Sequence, residues 1–497
     1  MNFHASSKYL NYSGRIISCS FSAALLAPGL YLHAGDNNKA DAEKPLNILF
    51  IMSDDLRPNL SCYGDRYAVT PNIDRLAASG VLFSSAYCQQ AVSNPSRASL
   101  LTGLRPDENG VVNLITHFRT KLPDVVTLPQ LFKNNGYLAY GVGKIYHDSR
   151  NTIDPASWTE SVHDYNTGRY ILPENLEGGD KQNSTECVEV DDTAYVDGKV
   201  TNEAIKYMQR ARREEQPFFI AVGYKKPHAP YCAPKKYWDL YENTVFEITN
   251  RERPQGSPDL AFHSNQELRG YKDIPKEGPI PSEIEQLVIR GYYACISYVD
   301  AQIGMLLDEL ETQGLSENTI IVLMGDHGYH LGEQDTWCKS TNFELDARVP
   351  LIIAAPGMKG NGKKSDAVVE FVDVYPTIAN LAGISPPGKL SGKNLAPLLA
   401  DPDKTWKNVA FNQFFRPYGA LSGNSPQTHM GYSVRTDHWR CTYWYDLSTG
   451  EIAEKELYHL DENRIEEENF AGRPEYRKVE KQLAKQISDY RDGKYQK

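Results

Sequence analysis

Acids and bases recur at the ends of apolar runs in this chain, and their types suit the capture of a metal ion and an anion. Asp54 and Asp55 follow LNILFIMS, and Asp326 with His327 follows TIIVLMG. Hard divalent cations take several carboxylate oxygens gathered from different elements, so the two acidic ends together favour a metal. Either end alone reads as a loop or helix cap. Lys144 and His147 lie in GVGKIYH, Lys226 and His228 in YKKPHAPY, and Lys339 in DTWCKSTNFE. Each alone is a solvated lysine or a satisfied histidine. Several on loops of one sheet make an anion pocket beside a metal, suited to a sulfate or phosphate ester. Ser93 and Arg97 stand in AVSNPSRASLLTG, with no histidine nearby. A serine hydroxyl is a poor nucleophile without a base or metal. The stretch lacks the GxSxG elbow, so Ser93 otherwise caps a helix.

The elements that must position these residues alternate. Apolar runs at 46–53, 217–224, 319–328 and 349–357, with YLAYGVGK, read as buried strands, several running into polar residues. Helices are expected at 70–80, 126–136, 289–314 and 372–383. The alternation predicts an α/β fold with a large, mainly parallel or mixed sheet sandwiched by helices. Ligands of such sheets bind beyond the strand carboxyl ends, where the residues above fall. Two loop-rich insertions, 148–198 and 228–282, are expected to carry function. After about residue 400 the pattern turns to short antiparallel strands and a charged helix. The expected division is a catalytic domain over 45–400 and a smaller α+β subdomain over 401–497.

The chain has 497 residues and a net charge of −11, with no dominant basic stripe, which argues against nucleic acid as its partner. A local basic pocket for an anionic substrate remains compatible with that charge. Residues 1–34 read as a cleaved export signal, with Lys8 and Arg15 before a short apolar run broken by serines, Pro28 and Gly29. A membrane or lipid anchor is the alternative. The expected location is periplasmic or secreted, with no membrane span in the mature form. Eight cysteines, none in a CxxC pair, nominate neither a zinc site nor a disulfide.

Ser93, Pro95, Ser96, Arg97, Thr102 and Gly103 resemble the signature of the type I, formylglycine-dependent sulfatases, with Asn94 bulkier than usual at its place. GYLAYGVGKIYH over 136–147 is similar to the family's second signature. TPNIDRLA, KPHAP, GDHG and ELYHLD extend the likeness over residues 46 to about 470. Within the family, DDLRPNLSCYGD, DHGYHLGEQDTW and His327 resemble the iduronate-2-sulfatase group. The resemblance implies an alkaline phosphatase-like sulfatase fold. It implies formylglycine made from Ser93 by an anaerobic radical SAM maturating enzyme, as in bacterial serine-type members. It implies one Ca2+ held by Asp54, Asp55, Asp326, His327 and the modified Ser93. Arg97 would hold the hydrated aldehyde, Lys144 and Lys339 the sulfate, His228 would be the general acid and His147 the base. The substrate implied is a sulfated glycan, first the 2-O-sulfate of an iduronate or unsaturated uronate of heparan- or dermatan-type saccharides, removed by exo action at the chain end. Lys226 or Arg435 is the expected partner of its carboxylate. Another sulfated polysaccharide, a phosphate or phosphonate ester, and a silent glycan-binding role are the alternatives.

Overall fold

A computed structural model describes residues 44–147, 151–165, 168–177, 179, 181–263, 267–460 and 464–495. The expected export signal at 1–34 lies outside them. In chain order the strands are β1 (Asn47–Asp54), β2 (Val81–Tyr87), β3 (Leu138–Gly143), β4 (Thr185–Val188), β5 (Phe218–Pro227), β6 (Tyr231–Pro234), β7 (Thr319–Gly325), β8 (Arg348–Ala354) and β9 (Lys364–Glu370). They are followed by β10 (Ala410–Arg416), β11 (His429–Arg435), β12 (Trp439–Asp446) and β13 (Ile452–His459).

Seven strands form the central sheet in the order β3-β5-β1-β7-β8-β2-β9. β1 runs through its middle, parallel to β5 on one side and β7 on the other. Every residue of β1 is buried. Leu49 and Ile51 enter one apolar core and Ile48, Phe50 and Met52 the other. A strand covered on both faces therefore reads as a continuous apolar run. The reversed strand is β8, antiparallel to both β7 and β2, which makes the sheet mixed.

The long helices Val196–Glu214 and Ser282–Thr312 cover the first face, and Ser93–Thr102, Leu128–Asn134 and Val374–Leu381 cover the second. Helix Leu128–Asn134 starts at Thr127, whose side chain accepts from the Gln130 N–H in a capping box. β10 to β13 form a second, antiparallel sheet in sequential order, carrying the last helix, Arg477–Arg491, on one face. Pro45–Lys497 form one compact unit, so the boundary expected near residue 400 marks a change of sheet within it.

Candidate active site

The acids come from the carboxyl ends of the two central strands. Asp54 ends β1, and Asp55 follows with φ of 60°, a left-handed conformation that is uncommon outside glycine. Its N–H donates to Asp326 Oδ1 at 3.1 Å, and its carbonyl accepts from the Tyr292 hydroxyl at 2.8 Å. Asp326 and His327 follow β7 inside Gly-Asp-His-Gly. A β-carbon on Gly328 would overlap the Leu345 carbonyl oxygen, so only glycine lets this turn pack.

Ser93 is the first residue of its helix, and its hydroxyl makes no capping bond. It donates instead to Asp54 Oδ1 at 3.1 Å and lies 3.2 Å from His327 Nε2. The helix-cap alternative therefore does not apply. Residues three and four along a helix share a face. Ser96 accordingly donates to the Asp326 carbonyl, and Arg97 places its guanidinium between Asp54, at 3.2 Å, and Asp326, at 2.8 Å. Asn94 points elsewhere and donates to the carbonyls of Asn113 and Thr116, at 2.8 and 2.9 Å.

Lys144 and His147 follow β3. Gly143 has φ of 74°, and a β-carbon there would overlap the Gly223 carbonyl oxygen on β5. That close approach directs Lys144 inward, where its ammonium meets Asp54 and its carbonyl meets Arg97. Burial, then Lys144, lowers the His147 pKa to about 4, and its buried Nδ1 has no hydrogen-bond partner among the described residues. His228 stands in a turn beyond β5. Its Nδ1 lies 2.6 Å from the Ala229 carbonyl, and its Nε2 is 3.5 Å from Glu267 and 3.9 Å from Asp55. Burial and then Lys339 hold its pKa well below the ordinary histidine value. Lys339 lies between Asp55, at 3.0 Å, and Glu267, at 2.7 Å. Burial opposes its charge, but those two carboxylates outweigh it and raise its pKa well above the usual value.

Donor atoms of Asp54, Asp55, Asp326 and His327 lie within 4.8 Å of one another, and all four residues are buried. Asp55 Oδ1 has no hydrogen-bond partner among the described residues, with His327 Nδ1 3.4 Å away. Burial, with Asp54, Glu267 and Asp326 close by, pushes the Asp55 carboxyl well above its ordinary value despite Lys339. Burial also lowers His327, against the pull of Asp326, and so favours a neutral imidazole. Three buried carboxylates, an orphaned oxygen and a neutral imidazole fit a hard divalent cation.

Asp54, Lys144, His147 and His228 open into a cleft of about 290 Å³, whose outer wall includes Tyr165, Arg169 and Lys225. Two sequence expectations need correction. Lys226 borders the cleft, but its ammonium is spent on the His228 and Pro230 carbonyls, so it braces the His228 turn. Arg435 is 2 % exposed and is paired with Glu344 beneath the second sheet, away from the cleft. Glu267, which links Lys339 to His228, was not singled out in the sequence. It lies in an irregular insertion, and no motif marks it.

The family model described as Sulfatase matches residues 46–384, and that described as N-sulphoglucosamine sulphohydrolase, C-terminal, matches 332–493. Human iduronate 2-sulfatase is 32% identical over 87% of this chain and 92% of its own length. A solved structure of a protein bound to its substrate D-glucosamine-2-N,6-O-disulfate is 27% identical, covering 90% of this chain and 98% of that one, with a TM-score of 0.72. A phosphonate monoester hydrolase from Silicibacter pomeroyi, 22% identical, covers 90% of this chain and 96% of its own with a TM-score of 0.73, a likeness of fold alone. With the Sulfatase model spanning more than half of the sequence and a relative above 30% identity across nearly all of it, this chain belongs to the sulfatase family and is a sulfuric ester hydrolase.

Proposed function

We propose that the enzyme removes sulfate esters from sulfated glycosaminoglycans, and that its preferred group is the 2-O-sulfate of a terminal uronate, iduronate or its unsaturated counterpart. The observation that carries the reading is the placement of Ser93 against Asp54 and His327, in reach of the cleft that Lys144, His147 and His228 line. The similarity to iduronate 2-sulfatase supports the uronate. The glucosamine disulfate in the related structure makes 6-O-sulfated glucosamine the competing substrate.

Formylglycine made from Ser93 would supply, once hydrated, one hydroxyl to attack sulfur and a second through which the enzyme-bound sulfate is expelled. A divalent cation among Asp54, Asp55, Asp326 and His327 would supply positive charge against the sulfate oxygens. Arg97 holds the carboxylates of Asp54 and Asp326 in place around the Ser93 side chain. Lys144 and Lys339 offset the charge that builds on the sulfate oxygens as the ester bond breaks. His228 donates a proton to the departing sugar oxygen. Burial and Lys339 favour its neutral form in the empty cleft, and a bound sulfate anion favours its charged form. His147 accepts the proton of the second hydroxyl, which suits a neutral imidazole whose Nδ1 has no partner among the described residues. An unmodified serine would stay sulfated, because its ester lacks this second route.

Maturation by a radical SAM enzyme and export to the periplasm or medium belong to the same proposal. The test is production with an anaerobic maturating enzyme, mass analysis of the Ser93 peptide and assay on defined disaccharides. Loss of two hydrogens at Ser93, with sulfate released faster from the 2-O-sulfated uronate than from 6-O-sulfated glucosamine, is the expected result. A faster 6-O reaction refutes the uronate assignment.

A further inference from the structure

The last helix, Arg477–Arg491, buries Leu483, Ile487 and Tyr490 against the antiparallel sheet. Its sequence, RKVEKQLAKQISDYR, mixes the signs of charge, but folding sorts them. Glu480 turns inward and accepts from the Tyr443 hydroxyl and the Gly472 N–H, both at 2.9 Å. Lys478, Lys481 and Lys485 stay exposed. Spacings of three and four residues place them on one face.

Lys407 and Lys494 border the same surface hollow, of about 980 Å³. Among the described residues Asp489 is the one carboxylate that lines it, and Lys485 holds it at 2.6 Å. Lys494 is held by Asp492 at 3.0 Å, so the five ammonium groups of the hollow meet two carboxylates, Asp489 and Asp492, on a chain whose net charge is −11. Tyr495 adds an aromatic ring, with the Lys407 ammonium 4.3 Å from its centroid, and a buried hydroxyl that has no protein partner among the described residues. Lysines at these spacings repel one another by a few tenths of a kcal/mol per pair, so the face gains when an anion lies across it.

We propose that this face is an accessory binding surface for the sulfated chain of the substrate, beyond the sugar that enters the cleft. The inference rests on the glycosaminoglycan reading above. Charge complementarity selects the occupant. Sulfates and carboxylates repeat along such a chain, and compact, strongly hydrated ammonium groups suit a run of separate anions better than one planar group. Lys478 and Lys485 leave the helix about 10 Å apart along its axis, so with Lys481 they present a row of charges to an extended polyanion. The surface therefore acts on the apparent affinity for long chains and leaves the chemical step alone.

The test compares the matured, full-length enzyme with its Lys478→Gln/Lys481→Gln/Lys485→Gln variant. On heparin chains at low salt, the variant should raise KM on the order of tenfold. The log–log slope of KM against salt should fall by about 2, from three lost cation contacts at about 0.7 each. Rates on a sulfated disaccharide should not change. Calorimetric titration with a size-defined heparin oligosaccharide reads the same surface without turnover. Equal heparin affinity for the two proteins overturns the inference. So does lysine-dependent binding to phosphatidylserine vesicles without binding to heparin, which assigns the face to a membrane. Failure of the wild type to release sulfate from any disaccharide refutes the glycan activity, while the heparin titration still decides the surface.

Discussion

Replacing His228 with Ala isolates proton delivery from the rest of the machinery. Its Nδ1 is fixed against the Ala229 carbonyl at 2.6 Å, so Nε2 is the atom left to serve the leaving group. Glu267 and Asp55, at 3.5 and 3.9 Å, face that nitrogen and support its charged form. A positioned general acid contributes roughly 10²- to 10⁴-fold where the leaving group is a poor one. That equals about 2.7–5.4 kcal/mol of barrier at 1.36 kcal/mol per tenfold. A sugar alkoxide needs the proton, whereas an activated phenolate departs without it. We therefore expect kcat on a sulfated disaccharide to fall by about 10² or more, while 4-nitrophenyl sulfate loses less than about tenfold. Both are measured by single-turnover sulfate release from fully modified enzyme, so that product release does not mask the chemical step. Equal losses on the two substrates refute the reasoning, because they would place His228 in binding or folding rather than in proton transfer.

Ser93→Ala should abolish sulfate release on every substrate while the melting temperature stays within a few degrees of wild type; release at the wild-type rate would refute the role of Ser93. Chelation should lower both activity and melting temperature, because Asp54, Asp55 and Asp326 are then left to repel one another within 4.8 Å. Restoring a divalent cation to 100 times its Kd should return about 2.7 kcal/mol, and a melting curve indifferent to chelator contradicts the cation site. Burial raises Glu456 to about 7, with its carboxyl accepting from Trp444 and Tyr458. The folded state then binds a proton that the unfolded state gives up near 4.5, so this contribution is complete below that pH and is lost as pH rises through about 7. Its size is about 3 kcal/mol at 1.36 kcal/mol per pH unit, so Glu456→Gln should flatten the decline between pH 5 and 8 in urea titrations. An unchanged decline locates the proton elsewhere.

The central sheet was legible because burial on both faces demands unbroken apolar runs, and β1 and β7 are such runs. Two sheet strands were harder to read. β2, VLFSSAY, carries two serines, and β9, KSDAVVE, lies at the sheet edge and alternates exposed with buried residues at its start. Neither has the continuous apolar signal of β1, β7 and β8. The helix Val196–Glu214 follows a loop-rich insertion, and a mostly charged exposed face dilutes its apolar stripe. The reversed direction of β8 was not visible at all. Strand polarity depends on which neighbour captures the strand, and its own residues do not record that.

The same distinction runs through the active site. Residue type shows which chemistry is available, but direction decides whether it is used. Lys226 and Arg435 have the charge a carboxylate needs, yet one is turned onto two carbonyls and the other onto Glu344. Glu267 has the charge of any surface acid, and only the path of the 228–282 insertion brings it between Lys339 and His228. Residues that follow strand ends inherit their direction from the sheet, so Asp54, Lys144 and Asp326 could be placed from sequence. Residues on insertions inherit theirs from tertiary packing. Tyr165 and Arg169, which line the cleft, lie on those insertions, so the reaction class reads more directly from this sequence than the substrate does.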